Sequence, residues 1–379
     1  MKILFPYMAR WKAINWTRYH SILTELAEMG HEIYVLQPPP ARSDETNFQE
    51  IDVVIPNNIR LSDIKIPPVF WKRNSPFDKL YKKGIYSLWC YSYARNIIEE
   101  KGIDVMLLYN IPQYLLVRSR SCKVVFDLAD DYIDMLAKEL GVFSNPLALG
   151  VASRLLNSML GSADYVLAVS SVLAKDFWKG AIVIPNGVSP SKANKARLDP
   201  LNINIERPIV GFIGSFEYFI DFELILQTAA NLSEVNFLLV GYGRSWAEVK
   251  NRALALGLKN VFFTGGVKHA DVFRYINEMD LCLNVFKKMP VSHAACPMKV
   301  FEYMIMGKPV ISTRLQEIEN MNMKSITFAD NLTEMISAIQ YLINNPSERR
   351  KLGQLGQSIV LEKYTWRKIA EQFVDAVSS

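Results

Sequence analysis

The sequence predicts an α/β protein built from two doubly wound parallel sheets. Three observations predict it. Apolar runs of strand length alternate with segments of helical spacing, the pattern of a parallel sheet covered on both faces. A polar stretch at 189–207 interrupts the alternation, and a second series of the same kind follows it. The 379 residues are enough for roughly two to three domains.

The elements follow in order. KILF at 2–5 reads as a buried strand, and Ile22, Leu23, Leu26, Ala27 and Met29 then recur at helical spacing. Gly30 supplies a helix stop before the strand IYVL at 33–36. Residues 38–103, which hold the triple proline 38–40, give no readable period. Strands return at 104–109, 123–127, 165–170 and 181–185, with helices clearest at 147–160 and 171–178. The stretch 189–207, with two prolines and no periodicity, reads as a linker and hinge. Beyond it strands recur at 208–214, 236–241, 260–265, 281–286 and 308–313, and three amphipathic stretches follow Asn331. Ligands of such sheets bind outside the carboxyl ends of the strands, and two sheets facing each other make one cleft there.

Composition narrows the class. Hydrophobic residues make up 50% and charged residues 21%, which excludes bulk disorder. The net charge of +5 suits an anionic small molecule or an anionic membrane surface and does not demand nucleic acid. Cys90, Cys122, Cys282 and Cys296 form no CxxC pair, so neither a zinc site nor a disulfide framework is expected, and a reducing, cytoplasmic compartment fits. No apolar run reaches 18 residues, so no membrane span is expected. The opening MKILFPYMARWK is closed by Arg10 and Lys12 and reads as a strand rather than a signal peptide.

The densest constellation is CPMKVFEYMIMGKPVIST at 296–313. Pro297 suits the first turn of a helix, and Gly307 and Pro309 mark its end. Lys299, Glu302 and Met306 share one face, while Val300, Phe301 and Met304 mark the packing side. Because the helix follows a strand, its free N–H groups and Lys299 attract an anion. Glu302, one turn in, can accept hydrogen bonds from the vicinal hydroxyls of a ribose. Together they suit a nucleotide diphosphate; the alternative is an inconsequential surface Lys–Glu pair.

Other candidates cluster at strand ends. Gly211 and Gly214 end a strand, where backbone N–H groups approach a phosphate or simply make a tight turn. Gly241 and Gly243 make a second turn, and Arg244 beyond them reaches toward a nucleotide or lies exposed. Asp127, Asp130, Asp131 and Asp134 crowd the end of the strand at 123–127, where acceptor orientation, proton transfer and helix capping are the competing roles. Arg18, Trp11 and Trp16 in the first loop are acceptor-side candidates or packing residues. His20 and His31 read as structural, His269 as a residue near a helix start, and His293 as the histidine nearest an anion site. The segment 67–96 mixes Phe70, Trp71, Phe77, Tyr81, Trp89 and Tyr91 with Lys72, Arg73, Lys79, Lys82, Lys83 and Arg95, which suits either an anionic membrane surface or an ordinary basic helix face.

The stretch 296–313 resembles the donor-binding signature of family 4 glycosyltransferases, which have the GT-B fold of two Rossmann-like domains facing a central cleft. LAEMGHEIYVL (26–36), VIPNGV (183–188), VGFIGSF (210–216) and EKYTWRKIAEQF (362–373) resemble further family segments in the same order. The resemblance implies an N-terminal acceptor-binding domain at 1–190 and a C-terminal donor-binding domain at 205–361, with a helix at 362–379 packing back on the first. It implies retaining transfer from a nucleotide-diphospho-sugar to a glycan or lipid-linked acceptor, in surface polysaccharide or glycoconjugate synthesis, with no cofactor and no metal. The residue near the Asp127 position is often a His beside the reacting sugar in the family.

Two departures stand out. The first Glu of the family's Glu-x7-Glu pattern is Ala294, and no cation follows the glycine loop. The fuller pattern resembles a subgroup with an aromatic-aromatic-Asp, here Phe219-Ile220-Asp221, a Phe-Lys, here Phe286-Lys287, and Ser292 before the Pro-x-Lys. On that likeness Asp127, Lys287 and Lys299 are the catalytic candidates. Gly214, Ser215, Arg244, Lys287, Ser292, Lys299 and Glu302 hold the donor, and Arg18, Asp130 and Asp131 serve the acceptor. The competing readings are a nucleotide-sugar 2-epimerase of the same fold and a non-catalytic GT-B partner subunit.

Overall fold

The computed structural model describes all residues except 13–15, 41–53, 72–77, 119–120, 142–144, 202 and 379, and leaves aside the side chains of 78–80 and 139. The chain divides into two compact units. The first comprises residues 1–185 and 369–379, the second residues 186–368.

The first unit is built on a seven-stranded parallel sheet. Its strands are β1 (Lys2–Pro6), β2 (Glu32–Gln37), β3 (Ile59–Asp63), β4 (Val105–Leu108), β5 (Lys123–Leu128), β6 (Tyr165–Ala168) and β7 (Ile182–Val183), in the order β3-β2-β1-β4-β5-β6-β7. Central strands carry apolar runs, as burial on both faces requires: Ile3, Leu4, Phe5, Val125 and Phe126 are fully buried. The order reverses between β1 and β4, which makes the loops after those two strands the natural place for function.

The second unit repeats the plan with six strands. They are β8 (Ile209–Ile213), β9 (Asn236–Val240), β10 (Val261–Gly265), β11 (Leu281–Asn284), β12 (Val310–Ser312) and β13 (Ile326–Phe328), in the order β10-β9-β8-β11-β12-β13 and all parallel. Here the reversal falls between β8 and β11.

The structure departs from the sequence reading in three places. The stretch read as a linker contains the helix Pro190–Leu198 and belongs to the second unit. Only Ala193 and Ala196 of that helix are buried, and two small residues leave no apolar period to see. The unread segment contains β3 and the long helix Asp78–Lys101. That helix buries Tyr86, Cys90, Ala94 and Ile98, a stripe repeating every four residues, but exposes Leu88 and Tyr91 as well, so polar and apolar faces blur. The unit boundaries fall at 185/186 and 368/369, so the helix Trp366–Ser378 spans the second of them.

Near those boundaries the chain runs beside itself. Val188 pairs with Thr365 in a parallel bridge: Val188 N–H donates to Tyr364 O at 2.9 Å, and Trp366 N–H donates to Val188 O at 3.0 Å. Among the described residues no helix is long and apolar enough to cross a membrane, and the four cysteines are free thiols.

Candidate functional site

The site grows from the end of β8. Its last residue, Ile213, is held by Tyr303: the Ile213 N–H donates to the Tyr303 hydroxyl at 2.8 Å. Tyr303 lies in the helix Met298–Ile305, so this bond fixes the helix against the strand end. The next residue, Gly214, adopts φ +146°, open to glycine and strained for other residues. A β-carbon there would lie 2.9 Å from Lys299 Nζ. The glycine thus lets the ammonium lie against the backbone turn.

A second turn backs the first. Gly241, at the end of β9, has φ +133°, and a β-carbon on it would fall 1.9 Å from the Gly214 carbonyl oxygen. Gly214 N–H donates to Val240 O, and Phe216 N–H donates to Tyr242 O. Gly243 in turn presses on the Phe216 backbone. Glycine is required at 241 because two backbones meet there.

Lys299 is framed by two aromatic rings. Its Nζ lies 4.3 Å from the centre of Phe212 and 5.0 Å from that of Phe286. Phe286 stacks on Phe219 with centres 5.7 Å apart, Ile220 bridges to Phe286, and Lys287 N–H donates to Phe219 O at 2.8 Å. The Phe219-Ile220-Asp221 and Phe286-Lys287 segments therefore form one structure. Asp221 caps the helix Phe222–Asn231 by accepting from Leu224 N–H. Lys287 is exposed.

The helix Met298–Ile305 starts without a side-chain cap, so its first N–H groups stay open to an anion. Asn186 positions the chain just before it, donating from Nδ2 to Cys296 O at 2.6 Å. Lys299 and Glu302 are both half-buried. Desolvation lowers the Lys299 ammonium to about 7, against the pull of Glu302. Desolvation likewise raises the Glu302 carboxyl to about 7, against Lys192 first and Lys299 second. Lys192, in the helix Pro190–Leu198, was not foreseen by the sequence reading.

The remaining donor candidates scatter. Ser215 is exposed, and its hydroxyl donates to Glu217 at 3.1 Å. Arg244 is exposed and donates to the same Glu217 from Nε at 2.7 Å. Ser292 is buried, and its hydroxyl has no hydrogen-bond partner among the described residues. His293 Nδ1 accepts from Gln316 N–H at 3.2 Å, and Ala294 is buried.

In the first unit the expected acceptor residues are bound to each other. Arg18 donates to both oxygens of Asp127, from Nε at 2.8 Å and Nη2 at 3.2 Å, and both side chains are buried. Arg18 Nη1 also donates to Pro185 O at 2.9 Å. Asp127 is thus an ion-paired carboxylate held by Arg18, and it does not cap a helix as Asp131 does. Asp131 is the N-cap of the helix Tyr132–Leu140, accepting from Ile133 and Asp134 N–H, which is the capping role among its alternatives. Asp130 is exposed. Trp11, Trp16 and His20 pack together, and His20 Nδ1 accepts from Thr17 N–H, so the histidine organises the loop. Of the 67–96 segment, Lys72, Arg73 and Phe77 and the Lys79 side chain lie outside the described residues. Phe70, Leu88 and Tyr91 are exposed, and Lys82 lies over Trp71.

Comparison with known proteins settles the family. A profile described as Glycosyltransferase Family 4 matches residues 17–192, and one described as Glycosyl transferase-like matches residues 220–375. The chain belongs to glycosyltransferase family 4. A Bacillus subtilis protein named as a teichuronic acid biosynthesis glycosyltransferase, TuaH, is 28% identical to this family 4 chain over 232 residues, 58% of each chain. The chain therefore spans under two thirds of that relative's length. Sucrose-phosphate synthase from Thermosynechococcus elongatus has the same fold, with a TM-score of 0.78 at 16% identity over 99% of this chain and 97% of its own. HepE from Anabaena, solved with UDP-glucose, matches at a TM-score of 0.69 and 17% identity over 100% of this chain and 99% of its own. The family 4 chain thus has the GT-B fold.

Proposed function

We propose that this chain transfers a sugar from a nucleotide-diphospho-sugar to a glycan or lipid-linked acceptor in surface-polysaccharide synthesis. The observation that carries the reading is Lys299 lying against the Gly214 turn, beside an uncapped helix N-terminus, with Glu302 one turn further along. A departing nucleotide diphosphate carries negative charge that grows as the glycosidic bond breaks. Fixed N–H groups and an ammonium in a partly desolvated site stabilise that growth more than they stabilise the intact donor. Lys287 adds a second cation at the neighbouring strand end. Glu302, once ionised, accepts from both hydroxyls of a ribose and fixes where the reacting bond lies. The protein's own cations carry this chemistry, so donor binding persists in chelator. Retention at the anomeric carbon follows from the family resemblance and is read from the anomeric coupling constant of the product.

The relatives support the biological setting: one is named for teichuronic acid biosynthesis, and one neighbour was solved with UDP-glucose. For a lipid-linked acceptor, the exposed Val69, Phe70, Leu88 and Tyr91 with the nearby lysines form the membrane-facing candidate.

A thermal-shift panel of UDP-, GDP-, ADP- and dTDP-sugars tests the reading. A ligand at 100 times its dissociation constant adds about 2.7 kcal/mol. Stabilisation by one nucleotide class is expected; none by any of the four, with no binding by calorimetry, sinks the donor site.

A further inference from the structure

The glycine turn beside Lys299 brings acids and no cation of its own. Residues 214–225 read GSFEYFIDFELI, with Glu217, Asp221 and Glu223 as their charges. Asp221 caps a helix and Glu223 pairs with Arg252, whereas Glu217 stands just past Gly214. A bare carboxylate there would repel a bound diphosphate.

The folded chain supplies a cation from the next turn. Gly243 meets Phe216 so closely that a β-carbon on it would lie 2.6 Å from both the N and the O of Phe216. Phe216 N–H donates to Tyr242 O at 3.2 Å, and Ser245 N–H donates to Phe216 O at 2.9 Å. Arg244, between those contacts, is therefore anchored beside the glycine turn by backbone alone.

Its side chain is held from one side. Nε donates to Glu217 Oε2 at 2.7 Å, while Glu217 Oε1 accepts from the Ser215 hydroxyl at 3.1 Å. The guanidinium carbon lies 5.9 Å from the centre of the Tyr218 ring. An Arg–carboxylate pair is frequently bidentate, as Arg18–Asp127 and Arg252–Glu223 are in this chain. Arg244 instead engages Nε alone, and neither of its amino groups has a hydrogen-bond partner among the described residues. Its side chain is 71% exposed, against 18% for Glu217. The open edge of a guanidinium matches two oxygens of one phosphate.

Resting on the donor-site reading above, we propose that Arg244 is a further arm of the diphosphate grip and that Glu217 is its positioning residue. Glu217 and Tyr218 hold the guanidinium at the rim of the glycine turn with its amino groups open. The same ion pair cancels the carboxylate that would oppose the ligand.

Calorimetry on the full chain tests this with UDP, GDP, ADP and dTDP, their nucleosides, and inorganic pyrophosphate. Arg244→Gln is expected to weaken the best nucleoside diphosphate and pyrophosphate alike by about tenfold or more, the worth of a hydrogen bond to a charged group, and to leave the nucleoside within about twofold. Arg244→Lys, which keeps the charge and loses the fork, is expected to recover only part of the loss. Glu217→Ala is expected to weaken pyrophosphate in the wild-type background, where it frees the guanidinium. In the Arg244→Gln background it is expected to strengthen pyrophosphate, because it removes a bare carboxylate. A merely structural glutamate would act with one sign in both backgrounds, and that result overturns its positioning role. Pyrophosphate binding equal to wild type in Arg244→Gln overturns the proposal. So does an equal loss of the nucleoside, which would put Arg244 at the base. If wild type binds neither pyrophosphate nor any of the four nucleotides, the donor-site reading fails and takes the proposal with it; nucleotide binding that ignores Arg244→Gln sinks the proposal alone.

Discussion

Arg18 and Asp127 hold each other through two hydrogen bonds, 2.8 and 3.2 Å long, and the same guanidinium reaches the Pro185 carbonyl at the last residue of the first unit's main segment. A buried pair of this kind is expensive to break from one side, because the remaining charge is stranded. Asp127→Ala and Arg18→Met should each destabilise the first unit by about 3–5 kcal/mol. The double variant should recover part of that loss. Urea unfolding followed by a first-unit probe checks it. Full stability with lost turnover in Asp127→Asn would instead return Asp127 to the reacting groups.

The two stacked glycine turns set the next expectation. In Gly241→Ala the new methyl meets the Gly214 carbonyl at 1.9 Å, and φ +133° adds backbone strain of about 1–3 kcal/mol. The Gly214 turn has to shift away from Lys299. Binding of a nucleoside diphosphate should weaken at least about tenfold in a chain that keeps its far-UV signature. Unchanged binding would separate the turn from the ligand.

Lys299 and Glu302 should divide the nucleotide between them. Lys299→Ala is expected to weaken a nucleoside diphosphate far more than the nucleoside. Glu302→Gln is expected to weaken both sugar nucleotide and bare nucleotide by roughly 10- to 100-fold, since the ribose is common to them. Two variants that bind as wild type would mark a surface ion pair.

The pH dependence follows from both groups lying near 7. The diphosphate needs Lys299 protonated, which is lost as pH rises through its value. The ribose needs Glu302 ionised, which is lost as pH falls through its value. Both phosphates of a sugar nucleotide stay ionised throughout, so its affinity should peak near pH 7 and fall by up to about tenfold per unit on each side. Calorimetry between pH 5.5 and 8.5, as round experimental limits on the order of the two values ±1.5, would show a flat profile if neither group touches the donor.

Membrane association is tested on vesicles containing phosphatidylglycerol. Replacing Lys72, Arg73, Lys82 and Lys83 by Gln should release the protein, at roughly 1 kcal/mol per cation. A wild-type chain that stays in solution at physiological salt ends the idea.

The sheets were legible because their central strands are buried on both faces and so carry unbroken apolar runs. The helix Met298–Ile305 was legible too, with Pro297 and Gly307 as its punctuation. Legibility failed where burial is slight or discontinuous. The helix Pro190–Leu198 buries two alanines, and β13 has a single fully covered residue, Ile326, in three. The site was half visible. Lys299 and Glu302 could be paired by their spacing within one helix, but Arg244 and Glu217 lie 27 residues apart and meet only in the folded chain. Arg18 and Asp127 were both picked out, yet nothing in sequence says that one residue satisfies another 109 positions away.

The division of the chain has a temporal side. The second unit, 186–368, is one uninterrupted stretch, whereas the first owns both the opening residues and 369–379. Ile369, Ala370, Phe373 and Val377 are fully buried, and Lys123 donates to Val377 O. On the ribosome the unit begun first is therefore the last to be completed, and it waits, short of one apolar face, until the whole second unit has emerged. A stop codon just after Lys368 would remove nothing from the second unit and leave the first unfinished.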